Sequence, residues 1–239
     1  MSDIKFFITR DGGSDFLILK SFISSVFLNE RSIQLSDGNF VDSEMNIGGS
    51  IGKFLDAKNK SDDIKRQRIK ELENRIMQIL HTIISKGVSN KDVVILNADT
   101  ENKLERKEKY YEENWINQFY LTVYFAIDKF YERMIEQGYN FDNLPVIIPL
   151  ILFPSIEILV AACYLSESDK KLMRNLKPNP DLKQKIWKET DMKRAIENGK
   201  VSEVLEICFT GKNDSLKDIY KYIPEARNLI NILRCPSVT

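Results

Sequence analysis

Two acidic stretches in this chain have the residue types and spacing for divalent-cation chemistry. Asp11-Gly12-Gly13-Ser14-Asp15 follows the apolar run Ile4 to Thr9, and Asn97-Ala98-Asp99-Thr100-Glu101 follows Asp92 to Leu96. Carboxylate and amide oxygens are the hard donors that Mg²⁺ prefers, and phosphoryl transfer on nucleic acid commonly runs on one or two such ions. One acid after one strand and two after a neighbouring strand would suffice to hold a cluster. The plainer alternative is that Asp11 and Asp99 are turn residues, favoured at strand ends for the backbone hydrogen bonds they make. Glu157, in the first turn of a later helix, is a further candidate acid.

Other chemistries find little support. His81 is the only histidine and sits among apolar positions late in a helical pattern, where a partly buried structural side chain is the expected role. A Ser-His-Asp or Cys-His mechanism would have to run through that one ring, and no nucleophile-elbow motif accompanies it. There is no phosphate loop ending in Gly-Lys-Ser/Thr and no Gly-x-Gly-x-x-Gly after either strand. Cys163, Cys208 and Cys235 are odd in number and widely separated, which argues against a disulfide framework and a zinc site.

Positioning the two acidic stretches requires strand ends, and the pattern supplies them. Ile4 to Thr9 reads as a strand, the two glycines permit a sharp turn, and Ser14 or Asp15 can cap a helix running to about Phe27. A short strand at Ser32 to Leu35, the turn Asp37-Gly38 and a returning strand from Phe40-Val41 follow, then a helix or loop from Gly48-Gly49-Ser50. Ile69, Leu72, Ile76, Ile79 and Ile83 mark one seam of a helix, widened by Leu80 and Ile84, that covers a face of the sheet. Asp92 to Leu96 is the second clear strand. The charged run Glu101 to Glu113 leads into an aromatic-rich helix through Trp115, Phe119, Val123, Ile127 and Phe130, with Ile116, Tyr120, Tyr124, Tyr131 and Met134 beside them. At helical spacing that stripe reads as core rather than as a stacking surface for bases. Val146 to Leu152 reads as a buried strand bent at Pro149, and Ile156 to Leu165 as a short helix.

Beyond Leu165 the texture changes to short helical patterns: Asp181 to Lys188, Asp191 to Asn198, Val201 to Phe209, Leu216 to Tyr222, and Glu225 to Leu233 after Pro224. The expected organisation is an α/β domain over 1–165 and a helical C-terminal extension over 166–239. The 239 residues, 43% hydrophobic and 29% charged, fit a soluble globular protein. Formal net charge is zero, but residues 1–165 hold 20 Lys and Arg against 24 Asp and Glu, and residues 166–239 hold 15 against 11. An acidic first part beside a basic tail suits a metal site next to a phosphate-gripping surface, and is also within ordinary scatter. The longest apolar run is broken by Pro149 and falls short of the roughly 20 residues that span a bilayer, and no secretory signal is visible. The cytoplasm, with no membrane contact, is the expected location.

At this level the residues resemble a family. Asp11-Gly12-Gly13-Ser14-Asp15 resembles the Glu-Gly-x-Thr/Ser-Glu/Asp signature after the first strand of Toprim domains, and Val93 to Asp99 resembles their later strand with its Asp-x-Asp motif. Phe153-Pro154-Ser155-Ile156-Glu157 is similar to a Pro-x-x-Glu segment of small Toprim-like proteins found among bacterial anti-phage defence genes. The resemblance spans about residues 1–165. It implies a Toprim-like, Rossmann-like sheet of mainly parallel strands flanked by helices, and a Mg²⁺-dependent nuclease (Mn²⁺ also serving) that cleaves DNA or RNA. Asp11 and Asp99 would be catalytic, Asp11, Asn97, Asp99 and Glu101 metal ligands, and Asp15 and Glu157 auxiliary. Two departures bear on mechanism: Asp11 stands where the family has glutamate, and Asn97 where it has the first aspartate. They leave open an alternative, a catalytically silent Toprim-like module that binds a partner such as an ATPase as sensor or scaffold; a homo-oligomer is compatible with either.

Overall fold

The computed structural model describes residues 4–10, 12–99, 115–152, 155–168, 170, 198–210 and 214–235. The expected helix Asp181 to Lys188 lies outside these residues, as do Asp11, Glu101 and all of the expected helix Asp191 to Asn198 except Asn198 itself. In chain order the elements are β1 (Phe6–Ile8), α1 (Asp15–Arg31), β2 (Phe40–Asp42), α2 (Gly48–Asp56), α3 (Asp62–Ile84), β3 (Val93–Asp99), α4 (Trp115–Glu136), β4 (Val146–Leu152) and α5 (Ile158–Tyr164). Three further described helices follow: α6 (Val201–Thr210), α7 (Asp214–Tyr222) and α8 (Pro224–Arg234). The chain is an α/β protein whose four described strands form one sheet in the order β2-β1-β3-β4, every neighbouring pair parallel.

The strand order reverses between β1 and β3. From β1 the chain moves outward to β2, then crosses back over β1 to β3 and on to β4. Parallel crossovers keep one hand, so the change of direction moves the connecting helices to the other face. The packing follows: Phe6, Ile8, Val93, Ile95 and Leu150 face a core shared with α1 and α5, while Phe7, Val94, Leu96, Ala98 and Ile151 face one shared with α2, α3 and α4. Alternate residues of each strand therefore serve opposite cores, and because both faces are covered the strands read as nearly unbroken apolar runs. The helices α6, α7 and α8 join the first of these cores through Leu205, Phe209, Ile219, Ala226 and Leu229.

The α3 seam packs as its spacing implies, with Leu72, Ile76, Ile79, Leu80 and Ile83 buried. His81 lies edge-on to Phe130 at 5.1 Å. Desolvation first, and the Arg133 charge second, hold its imidazole below the usual histidine range. Other expectations need correction. Residues Ser32 to Leu35 form no strand and there is no hairpin: Ser32 terminates α1 in a left-handed conformation at φ 55°, and β2 pairs in parallel with β1. The turn at Asp37-Gly38 is one 3-10 turn closed by reciprocal bonds between Ser36 and Asn39, which reverses the chain out of α1 rather than between two strands. The β3 strand does not stop at Leu96 but runs on through Asp99, because Thr9 and β4 carry its pairing further than the apolar run indicates.

β4 is one of the two edge strands of the described sheet, β2 being the other. Val146 N–H bonds the Asp92 carbonyl, so even-numbered residues of β4 face β3 and odd-numbered ones face outward. Pro149 occurs at an outward position, where a missing N–H costs no ladder bond. The outward N–H of Ile147 donates to Tyr131 Oη at 3.1 Å, and that hydroxyl donates to the Pro145 carbonyl at 2.8 Å. Burial of the phenol raises its pKa above the ordinary tyrosine value. Tyr131→Phe should therefore lower stability by about 1–2 kcal/mol in urea unfolding at pH 7. A phenol that ionises later in the folded chain loses its stabilising contribution as pH rises past about 10, where the unfolded chain releases the proton first. The difference between wild type and variant should narrow above that pH.

Candidate functional site at the sheet switch point

In open α/β sheets the carboxyl ends of the two strands flanking the reversal splay toward opposite faces and leave a crevice. Here those strands are β1 and β3, and the polar residues Thr9, Asp15, Asn97 and Asp99 collect at that end. All four are buried, with exposures of 0%, 3%, 0% and 6%. Burial of this many polar groups is costly unless each finds partners, so their bonding shows what the site is built to do.

Thr9 takes over the ladder where β1 leaves it. Its backbone N–H donates to the Ile95 carbonyl at 3.0 Å, and its hydroxyl oxygen accepts the Asn97 N–H at 2.8 Å. The hydroxyl proton has the Ile95 and Asn97 carbonyls at 3.4 Å each. The β3 backbone is thereby held at the residue that carries the site amide. Asn97 and Asp99 share strand parity with Val93 and Ile95, so both belong on the α1 and α5 face. Opposite them on β4 stand Leu150 and Leu152.

Asp15 closes the arrangement from α1. Its Oδ2 accepts the Gly12 N–H at 2.9 Å and the Asn97 Nδ2–H at 3.1 Å. An ionised carboxylate only accepts, so the amide nitrogen must face Asp15 and Asn97 Oδ1 must face away from it. Ser14, the residue before the helix, makes no side-chain cap bond; Asp15 in the first turn lies where the helix dipole favours negative charge. A Cβ at Gly12 would lie 3.2 Å from Asp15 Oδ1, tighter than ordinary contact, so the glycine serves the close approach of this loop to the carboxylate.

Among the described residues, Asn97 Oδ1, Ser155 Oγ and Glu157 Oε2 are buried without a hydrogen-bond partner. The other rim of the sheet makes the contrast: Asp92 accepts Lys5 N–H at 3.0 Å, Ser89 N–H at 2.7 Å and the Ser89 hydroxyl at 2.9 Å, which accounts for it as a structural clasp. Ser155 and Glu157 lie between the end of β4 and the first turn of α5, at the same rim as Asn97, and Glu157 is the residue immediately preceding that helix rather than within its first turn. Arg10, the cation that follows Thr9, is paired with Asp42 at 3.0 Å.

Of the residues expected at one rim, Asn97, Asp99 and the auxiliary Asp15 are buried there and Asp15 contacts Asn97 directly, while Asp11 and Glu101 lie outside the described residues. Asn97 and Asp99 are strand residues, not turn residues, which corrects the reading of an acidic turn after β3. Thr9 and Ser155 were not singled out; a lone hydroxyl ending an apolar strand, or following a proline, was the available signal. Among the described residues no three His, Cys, Asp or Glu side chains assemble into a group that could hold a metal. The Asn97 carbonyl falls outside such a count, and with the Asp15 and Asp99 carboxylates the donors present are all oxygens, the type that suits a hard divalent cation.

Fold and site together define an α/β protein with a parallel sheet and a buried, oxygen-rich site at its switch point. No protein-family model matches the chain, and neither the curated proteins nor the solved structures contain a match. No described helix is long and apolar enough to cross a membrane.

Proposed function

We propose that this is a Toprim-like, Mg²⁺-dependent nuclease that cleaves phosphodiester bonds of DNA or RNA, in the setting of anti-phage defence. The observation that carries the reading is the buried Asn97 carbonyl oxygen, left without a donor while Asp15 holds its amide nitrogen, beside Asp99 at the switch point. A buried acceptor lacking a donor is what a cation or a ligand proton would complete. Asp15 supplies the negative charge that an aspartate at position 97 would have brought, and fixes which end of the amide faces the site. Asp99 would be the principal ligand, with Asp11 as general acid/base or ligand and Glu101 and Glu157 as auxiliary acids. When bound, Mg²⁺ would polarise a phosphoryl oxygen and make water more acidic.

The test is a calorimetric titration with Mg²⁺ or Mn²⁺, followed by incubation with plasmid DNA and transfer RNA. Metal binding and cleavage are expected in the wild type, cleavage falling to background in Asp99→Ala and Asp11→Ala with the fold intact. Asp15→Ala, which removes the group that orients a ligand, should weaken metal affinity about 10–100-fold. One observation favours a second reading: Asn97 is neutral where the resemblance has a charge. A silent module would bind no metal, cleave neither substrate and be recovered with a partner such as an ATPase.

A further inference from the structure

Helix α4 covers the sheet face opposite Asn97, and its outer side is more apolar than a solvated helix needs. Leu121, Tyr124 and Phe125 are 63%, 56% and 53% exposed, and Ile135 is 48% exposed. Positions 121, 124, 125, 128, 132 and 135 recur at helical spacing, so these side chains form one stripe with Asp128 and Glu132 set into it. Contiguous exposed aromatic and aliphatic groups of this kind mark interaction surfaces, and Tyr and Phe are favoured contact residues there.

The charged residues set into the stripe itself, Asp128 and Glu132, have one sign. Lys129 borders the stripe, neutralised by Glu73 at 2.6 Å and with its ammonium 4.5 Å from the centre of the Phe125 ring, which it braces from one side. Arg133 is exposed on the flank of the helix beside Glu132, outside the stripe positions. Asp128 and Glu132 within the stripe, and Glu136 beside it, are all exposed. A second copy laid against the stripe would bring carboxylates against carboxylates, and an anionic lipid surface would be repelled by them. Strand addition at the adjoining edge is obstructed, because Ile147 N–H is taken by Tyr131 and Pro149 has none to offer. A helix with apolar residues on one side and Lys or Arg flanking them satisfies both the apolar stripe and its acids.

We infer that the exposed face of α4 is a docking surface for a basic amphipathic helix of a partner protein. The surface lies on the other side of the sheet from the switch-point residues and does not depend on the nuclease reading.

The test uses the full chain and three synthetic peptides: an 18-residue helix former with a Leu face flanked by Lys, the same peptide with Glu for Lys, and a scrambled Lys/Leu sequence. Fluorescence anisotropy should show the Lys peptide binding at least ten times more tightly than the other two, and less tightly as salt is raised. Leu121→Ser and Phe125→Ser should each weaken binding at least tenfold without altering the circular dichroism. Asp128→Lys with Glu132→Lys should reverse the preference toward the Glu peptide. Absent binding, equal binding by wild type and the serine variants, or indifference to the charge reversal would overturn the inference. So would a homodimer in sedimentation that Phe125→Ser dissociates, or binding to phosphatidylserine vesicles that Phe125→Ser abolishes, since each names a different occupant.

Discussion

Asn97→Asp is expected to destabilise the metal-free protein by about 3–5 kcal/mol at pH 7, lowering the melting temperature by roughly 10 °C. The substitution is nearly isosteric, so the effect is electrostatic. It exchanges an N–H donor 3.1 Å from Asp15 Oδ2 for a second acceptor, at two positions 0% and 3% exposed where water cannot screen the pair. Two carboxylates at that separation cannot both remain ionised, so one is driven to hold a proton and its pKa rises in the folded state. A raised carboxylate pKa means the folded variant binds more protons than the unfolded chain, so the deficit shrinks as pH falls through the raised value. Urea denaturation at pH 7 and pH 5 measures both parts. The reciprocal double variant Asp15→Asn with Asn97→Asp recreates one amide against one carboxylate with the partners exchanged, and should return to within about 1 kcal/mol of wild type. If a divalent cation binds here, Mg²⁺ should raise the melting temperature of Asn97→Asp more than that of the wild type. An Asn97→Asp protein as stable as the wild type would show that the contact carries no energetic weight.

Phe209→Ala should cost a further large amount, about 3–5 kcal/mol, and should do so for the whole described fold. Phe209 is buried on α6 with its ring 6.0 Å from that of Phe22 on α1, and Phe22 lies in the core beneath β1 and β3. The C-terminal helices therefore complete the layer on one face of the sheet, and a cavity between α1 and α6 removes contacts that neither side can replace. The check is whether both faces of the sheet fail together. Trp115 reports the far face, stacked on Phe54 at 4.3 Å with its indole N–H donated to the Phe54 carbonyl at 2.8 Å. In urea its indole proton signal and the helical circular dichroism should disappear at one midpoint, lower than in the wild type. Retention of the Trp115 signal after part of the helical ellipticity has been lost would mean that the C-terminal helices are an independent unit.

Much of the scaffold is present in local pattern. The three-four spacing of Leu72, Ile76, Ile79 and Ile83 determines a helix that must bury one side, and the apolar runs at Val93 and Ile147 determine strands covered on both faces. Pro224 at the start of α8 and Gly138, at φ +91° just beyond α4, mark boundaries that short-range sterics alone impose. The hairpin at Ser32 to Phe40 was misread because Asp37-Gly38 is a turn signal with no information on what the turn connects. A strand of three residues such as β2 takes its direction from β1, thirty-odd positions earlier.

The site divides along the same line. Composition and spacing by themselves determined that acidic and amide side chains gather near the ends of two apolar strands, because hydrogen-bonding side chains collect where apolar runs end. Only the tertiary structure decided that β1 and β3 are neighbours, that β3 extends to Asp99, and that Asp15 rather than a more distant acid meets Asn97. The reason is physical: hydrophobic periodicity is a one-dimensional quantity fixed by residue order, whereas a hydrogen bond between residues 82 positions apart exists only after the crossovers have chosen strand order and face.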